Sequence, residues 1–235
     1  MTDHTVRQYD VELESIRTRV LQMGGYVELQ VVKALEGLLG GDLATIERVI
    51  DNDHRVNELE VELDEACAQI IAKRQPAATD LRSILTVSKV VTDLERVGDE
   101  AKKIAKVAKS IHTPDAIATT PRVQLQHLGN LAIELLRKSL DSMARLDLNA
   151  AADVVTQDKE VDGEFKSVMR QLITFMMEDP RTISRSIDIL FAAKSLERIG
   201  DHAKNVAQHV VFLVKGRDVR HVGIEEIQRE VAGGA

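Results

Sequence analysis

Four carboxylates stand out by their spacing. Glu95 and Asp99 lie four residues apart, and so do Glu197 and Asp201. On a helix this spacing puts both side chains on one face, one turn apart, where two like charges repel by a few tenths of a kcal/mol. Such a pair needs a positive partner. One kind is a bound cation: oxygen-only ligands suit hard Mg²⁺, Ca²⁺ or Mn²⁺, and carboxylates also ligate Zn²⁺ and bridge iron. The other kind is ordinary ion pairing. Arg96, Lys102 and Lys103 lie at helical spacing around Asp99, as do Arg198 and Lys204 around Asp201, and such neighbours neutralise a helix face without metal. Spacing alone leaves both open.

The pairs belong to a longer repeat. DLERVGDEAKKIAK at residues 93–106 is rewritten about a hundred residues later as SLERIGDHAKNVAQ, residues 195–208. A repeat of this length marks a duplicated unit. The repeat also exposes a second acidic set upstream, where Asp53 matches Asp158 and Asn57 matches Asp162. If the two helices of each copy pack antiparallel, Asp53, Glu95 and Asp99 converge in the first copy. Asp158, Asp162, Glu197 and Asp201 do so in the second. Weaker candidates are Asp51-x-x-His54, which has no echo in the second copy and reads as a solvated face, and His202, which adjoins Asp201 but stands where the first copy has Glu100. The chain has no GxxxxGK[ST], GxGxxG or GxSxG stretch and no Glu-x-x-His tetrad of the di-iron kind, so the sequence offers no phosphate loop and no activated nucleophile.

Long helices must carry these residues. Apolar side chains recur at three- and four-residue spacing nearly throughout, and no strand-like alternation persists. The spacing predicts helices over Val6–Leu39, Leu43–Arg74, Leu81–Ile111, Arg122–Leu146, from Asp147 to Glu178, and Arg181–Lys215. Gly24-Gly25 marks a kink or a close helix crossing in the first, and Asp42 and Asp147 are N-caps. Residues 113–121 form a linker within HTPDAIATTP, and residues 216–235 a polar tail with a short helix over Ile224–Val231. The expected fold is all-α: two tandem antiparallel three-helix bundles, spanning residues 1–112 and 122–215.

Composition narrows the function. The 235 residues are 44% hydrophobic but only 3% aromatic, which suits Leu, Val, Ile and Ala packing in bundles. A net charge of −7 argues against nucleic acid as a partner. The single cysteine, Cys67, lies in an apolar stretch and reads as a buried structural thiol. The polar N-terminus and the lack of any long apolar run predict a cytoplasmic protein with no membrane insertion.

Several stretches, in order along nearly the whole chain, resemble the PhoU family: QPAATDLR, DLERVGDEAKKIA, MMEDPRTIS, SLERIGDHAKNVA and VKGRDVRH. The resemblance implies a non-enzymatic, cytoplasmic negative regulator of the phosphate-starvation response that also modulates phosphate uptake. Such proteins link the ATPase subunit of the phosphate ABC transporter to the sensor histidine kinase of a two-component system, and are often homodimers. It also implies metal clusters at Asp53, Glu95, Asp99, Asp158, Asp162, Glu197 and Asp201, with Asn57 weakening or emptying the first site. The preferred mechanism is docking of acidic faces on a partner. The competing reading is a metal-storage bundle or a metal-dependent phosphate-ester enzyme. A DNA-binding repressor fits the acidic charge poorly.

Overall fold

The computed structural model describes residues 2–112, 125–220 and 222–232. Its helices are α1 (Thr2–Gly40), α2 (Leu43–Arg74), α3 (Ala78–Ile111), α4 (Leu125–Arg145), α5 (Leu148–Glu178), α6 (Ile183–Lys215) and α7 (Ile224–Ala232). A single 3-10 turn, Pro180–Thr182, leads into α6. The predicted all-α fold of two three-helix units is therefore present. The predicted linker and the start of the fourth helix at Arg122 lie outside the described residues.

Local chemistry sets the boundaries. Gly41, at φ +74°, closes α1, and the Asp42 carboxylate accepts from the Ala44 N–H to start α2. Asp147 caps α5 in the same way through the Asn149 and Ala150 N–H groups. Gln75 adopts left-handed backbone (φ +49°) at the end of α2, and α3 then begins at Ala78 rather than at the predicted Leu81. The break is shorter than expected: Ala77, in extended backbone, stands at the N-cap with no side-chain cap bond, and the helix starts directly after it.

α1 does not break at Gly24-Gly25; the pair marks a helix crossing instead. A Cβ on Gly24 would lie 2.5 Å from Leu140 of α4, and one on Gly129 of α4 would lie 2.5 Å from Leu35 of α1. Each helix thus lends the other a glycine notch for a leucine. α3 and α6 form the larger contact between the two units. Buried residues from both units make one continuous apolar core that includes Leu94 and Val97 of α3 and Leu196 and Ile199 of α6. The described part of the polar tail is not loose. Val219 and Ile227 are buried, Gly216 at φ +75° turns the chain beside Arg82 of α3, and α7 lies on α5.

Candidate functional site

The repeated motif faces α2 in the first unit and α5 in the second, at a distance set by its glycine. A Cβ on Gly98 would meet Val56 at 3.1 Å, and one on Gly200 would meet Val161 at 3.1 Å. Val56 and Val161 are matched positions, so both units use one construction. It lets the upstream aspartates reach the motif. Asp53 is 4% exposed and Asp158 is 3% exposed, far more buried than surface carboxylates usually are.

Each buried aspartate is met by a lysine of the next helix. Lys102 Nζ donates to Asp53 Oδ2 at 2.6 Å, and Lys204 Nζ donates to Asp158 Oδ2 at 2.6 Å. The motif carboxylates gather around these pairs. Burial first, then Asp99, Glu60 and Asp53, raise the pKa of Glu95 above the usual glutamate value. Burial first, then Glu197, Asp158 and Asp162, do the same for Asp201. The residues singled out by sequence are thus neighbours within each unit.

Two details differ from expectation. Asn57 is exposed, and Glu60, one turn further along α2, supplies the acidic group in its place. Burial raises its pKa, followed by Asp64 and Asp99. The signal was present in the sequence, since Glu60 lies seven residues after Asp53, two helical turns along the same face. His202 turns away from Asp201. Its Nδ1 donates to Asp93 Oδ1 of α3 at 2.9 Å, Asn205 Nδ2 donates to the same oxygen at 3.0 Å, and His209 Nε2 donates to Asp93 Oδ2 at 3.1 Å. Burial alone would raise the Asp93 pKa, but these three donors and the His209 charge outweigh it and hold the carboxyl down at about 2. This latch joins the two units and was not legible in the repeat.

The basic neighbours also behave differently from simple local pairing. Arg198 reaches across to Glu100 of α3 at 3.2 Å, where Lys103 also binds at 3.0 Å. Lys194 holds Glu197 at 2.6 Å. Asp51 and His54 are exposed, with the His54 ring against the Asp51 carbonyl, as a solvated face predicts. Cys67 is buried, and burial followed by the Asp64 charge pushes its thiol up to about 11, which keeps it protonated and unreactive.

The donor type suits a hard cation, and Asp53 Oδ1 is buried with no hydrogen-bond partner. The arrangement does not fit one. Among the described residues no group of three or more Asp, Glu, His or Cys side chains is placed to hold a metal ion, and lysine ammonium groups stand against the two deepest carboxylates. One consequence is measurable. Because the fold favours protonated Asp201, stability rises as pH falls through its raised pKa, and neutral pH carries the penalty. Asp201→Asn removes that penalty. It should raise the melting temperature at pH 7 by a few degrees at most, since a half-buried group still screened by solvent is worth about 1 kcal/mol or less, and the gain should vanish in acid. A metal ligand would give the opposite sign.

The second cluster is bordered by the C-terminal tail. α7 and the tail border an open cleft of about 640 Å³ beside Asp158, Asp162 and Lys204, lined also by Arg220 and Glu226.

A family model described as the PhoU domain matches residues 20–108 and again residues 125–210. The chain is 45% identical over 233 residues to the phosphate-specific transport system accessory protein PhoU homolog of Pseudomonas aeruginosa, covering 98% of this chain and 95% of that protein. It is 43% identical over 237 residues to the phosphate-specific transport system accessory protein PhoU of Escherichia coli K12, with 99% and 96% covered. The crystal structure of PhoU from Pseudomonas aeruginosa superposes with a TM-score of 0.85 at 44% identity, over 89% of this chain and all of that one. That of the phosphate transport system regulatory protein PhoU from Streptococcus pneumoniae does so at 0.82 and 26% identity, over 90% and 99%.

Proposed function

The chain belongs to the PhoU family, and on that premise we propose that it is a cytoplasmic adaptor which silences the phosphate-starvation response and restrains phosphate uptake when phosphate is plentiful. It acts by binding, without catalysis, between the ATPase subunit of a phosphate ABC transporter and the sensor histidine kinase of a two-component system, as a homodimer. The names of the relatives, accessory and regulatory proteins of phosphate transport, support this reading. So does the absence, among the described residues, of any helix long and apolar enough to cross a membrane, which fits a partner of membrane complexes that is not itself inserted.

One observation carries the docking step. The end of the α5–α6 hairpin displays Ile173, Met177, Ile183, Ile187 and Phe191, with Met177 80% and Phe191 63% exposed. A concentration of large apolar side chains at one end of a bundle marks a protein contact. At the matching place in the first unit, Phe191 and Ile183 are replaced by Lys89 and the half-buried Leu81. The acidic clusters carry internal lysines and contribute less to docking than their raw charge suggests.

In a strain lacking this gene and grown in excess phosphate, an alkaline phosphatase reporter should be high, and the intact gene should silence it. A copy with Met177→Asp and Phe191→Asp changes only exposed positions. It should fold and accumulate normally yet leave the reporter high by about tenfold or more, the loss expected when one or two apolar anchors of a contact are removed. A reporter that stays low in the deletion strain would overturn the regulatory reading. Full silencing by the double variant would move the contact elsewhere.

A further inference from the structure

We propose that Lys102 and Lys204 are tethered cations that take, in the two repeats, the place a metal ion would hold, so that both carboxylate clusters are held together without metal. The argument starts from the repetition. Asp53 and Asp158 are matched residues, and so are Lys102 and Lys204. Each pair closes at 2.6 Å between neighbouring helices. An isolated ion pair on a surface varies freely, but here the aspartates are buried, and a buried carboxylate stripped of its partner is strongly unfavourable. The same solution therefore appears twice where the fold demands a positive charge.

The lysine positions are those of a shared counter-ion. Lys204 is within electrostatic reach of Asp158, Asp201 and Asp162 together, and Lys102 of Asp53 and Asp99. Each lysine thus serves one carboxylate by contact and its neighbours through space. A divalent ion entering the same volume would meet a fixed ammonium within about 4 Å, and like charges at that distance repel strongly even at the effective dielectric of a protein surface. With the ammonium groups in place the clusters also lack three converging donors, so nothing in that arrangement compensates for the repulsion. An ammonium carries one charge where a metal carries two, which leaves the clusters net acidic and Asp53 Oδ1 without a partner.

This inference is independent of the regulatory role, because it concerns only what neutralises the clusters. It is tested with Mn²⁺, a hard cation with a direct magnetic resonance signal, in equilibrium dialysis against the purified full chain. The wild type should take up no stoichiometric Mn²⁺, and neither Mn²⁺ nor a chelator should move its melting temperature. Lys204→Met removes the ammonium and keeps the stem. It should gain one Mn²⁺ site, binding about tenfold tighter or more than the wild type, and its melting temperature should rise with Mn²⁺. Lys204→Arg keeps the charge and should gain nothing. Lys102→Met should behave like Lys204→Met in the first repeat, which keeps the test open if the second-repeat variant fails to fold. Stoichiometric Mn²⁺ on the wild type would overturn the proposal, and so would folded Lys→Met variants with no gain in affinity.

Discussion

Asp93→Ala should lower the unfolding free energy by about 2–4 kcal/mol in urea titration, with an unchanged denaturant slope. The size follows from what is left behind. Asp93 accepts from His202, Asn205 and His209, and His209 is buried. Alanine leaves the buried His209 donor without its partner between α3 and α6, and an orphaned buried donor is destabilising by about 1–3 kcal/mol. The pH dependence has a fixed sign. The Asp93 carboxyl is held at about 2 in the fold, against about 3.9 in an unfolded chain. Its contribution is therefore fully present above about pH 4 and is lost as pH falls through about 2. The gap between wild type and variant should shrink as pH falls through about 2, as expected for a carboxylate of this kind. A change below about 0.5 kcal/mol, the range of ordinary surface substitutions, would mean that water replaces the carboxylate and that the latch does not hold the units together.

Gly129→Val should be about as damaging, through space rather than charge. A Cβ at this position already falls 2.5–2.6 Å from both terminal carbons of Leu35, and Leu35 is itself buried. Either α1 and α4 separate or Leu35 leaves its rotamer, and overpacking of this kind is destabilising by about 1–3 kcal/mol, or more when the neighbour cannot yield. The contrast is Gly25→Ala, one residue from the other notch. Nothing lies within 4 Å of a Cβ there, so the better helix propensity of alanine should stabilise by about 0.5–1 kcal/mol. Thermal melts of the two variants should move in opposite directions. If they move together, the notch is not tight and the crossing of α1 with α4 rests on other contacts.

Much of this architecture is legible in the sequence because helical signals are local. The apolar period, the caps at Asp42 and Asp147 and the repeat itself specify six long helices and their pairing. The acidic clusters were legible for the same reason: one-turn spacing on one helix and its copy on another. What spacing could not supply was the direction each side chain takes across a helix interface. Lys102 and Lys204 sit three residues beyond the motif aspartates, yet they reach the neighbouring helix instead. Arg198 likewise crosses to Glu100. Asn57 occupied the expected slot in the alignment but faces solvent, while Glu60 lay outside the slot and faces inward. The Asp93 latch was illegible because it exists only between the repeats, at positions where the two copies differ.

That difference bears on how the chain assembles in a crowded cell. Where the first copy has Asp93, Glu100, Lys103 and Val107, the second has Ser195, His202, Asn205 and His209. During synthesis a finished first repeat can meet the first repeat of another chain before its own second repeat emerges. Joined through the same helix face, that pair would set Asp93 against Glu100, Lys103 and Val107, with a lysine where Asn205 stands but neither histidine to receive the carboxylate. Two second repeats joined that way would set His209 against Ser195, with no acid to answer it. Only a first repeat with a second repeat completes the network. The divergence of these four matched positions thus selects the pairing of a first repeat with a second over the pairing of like with like.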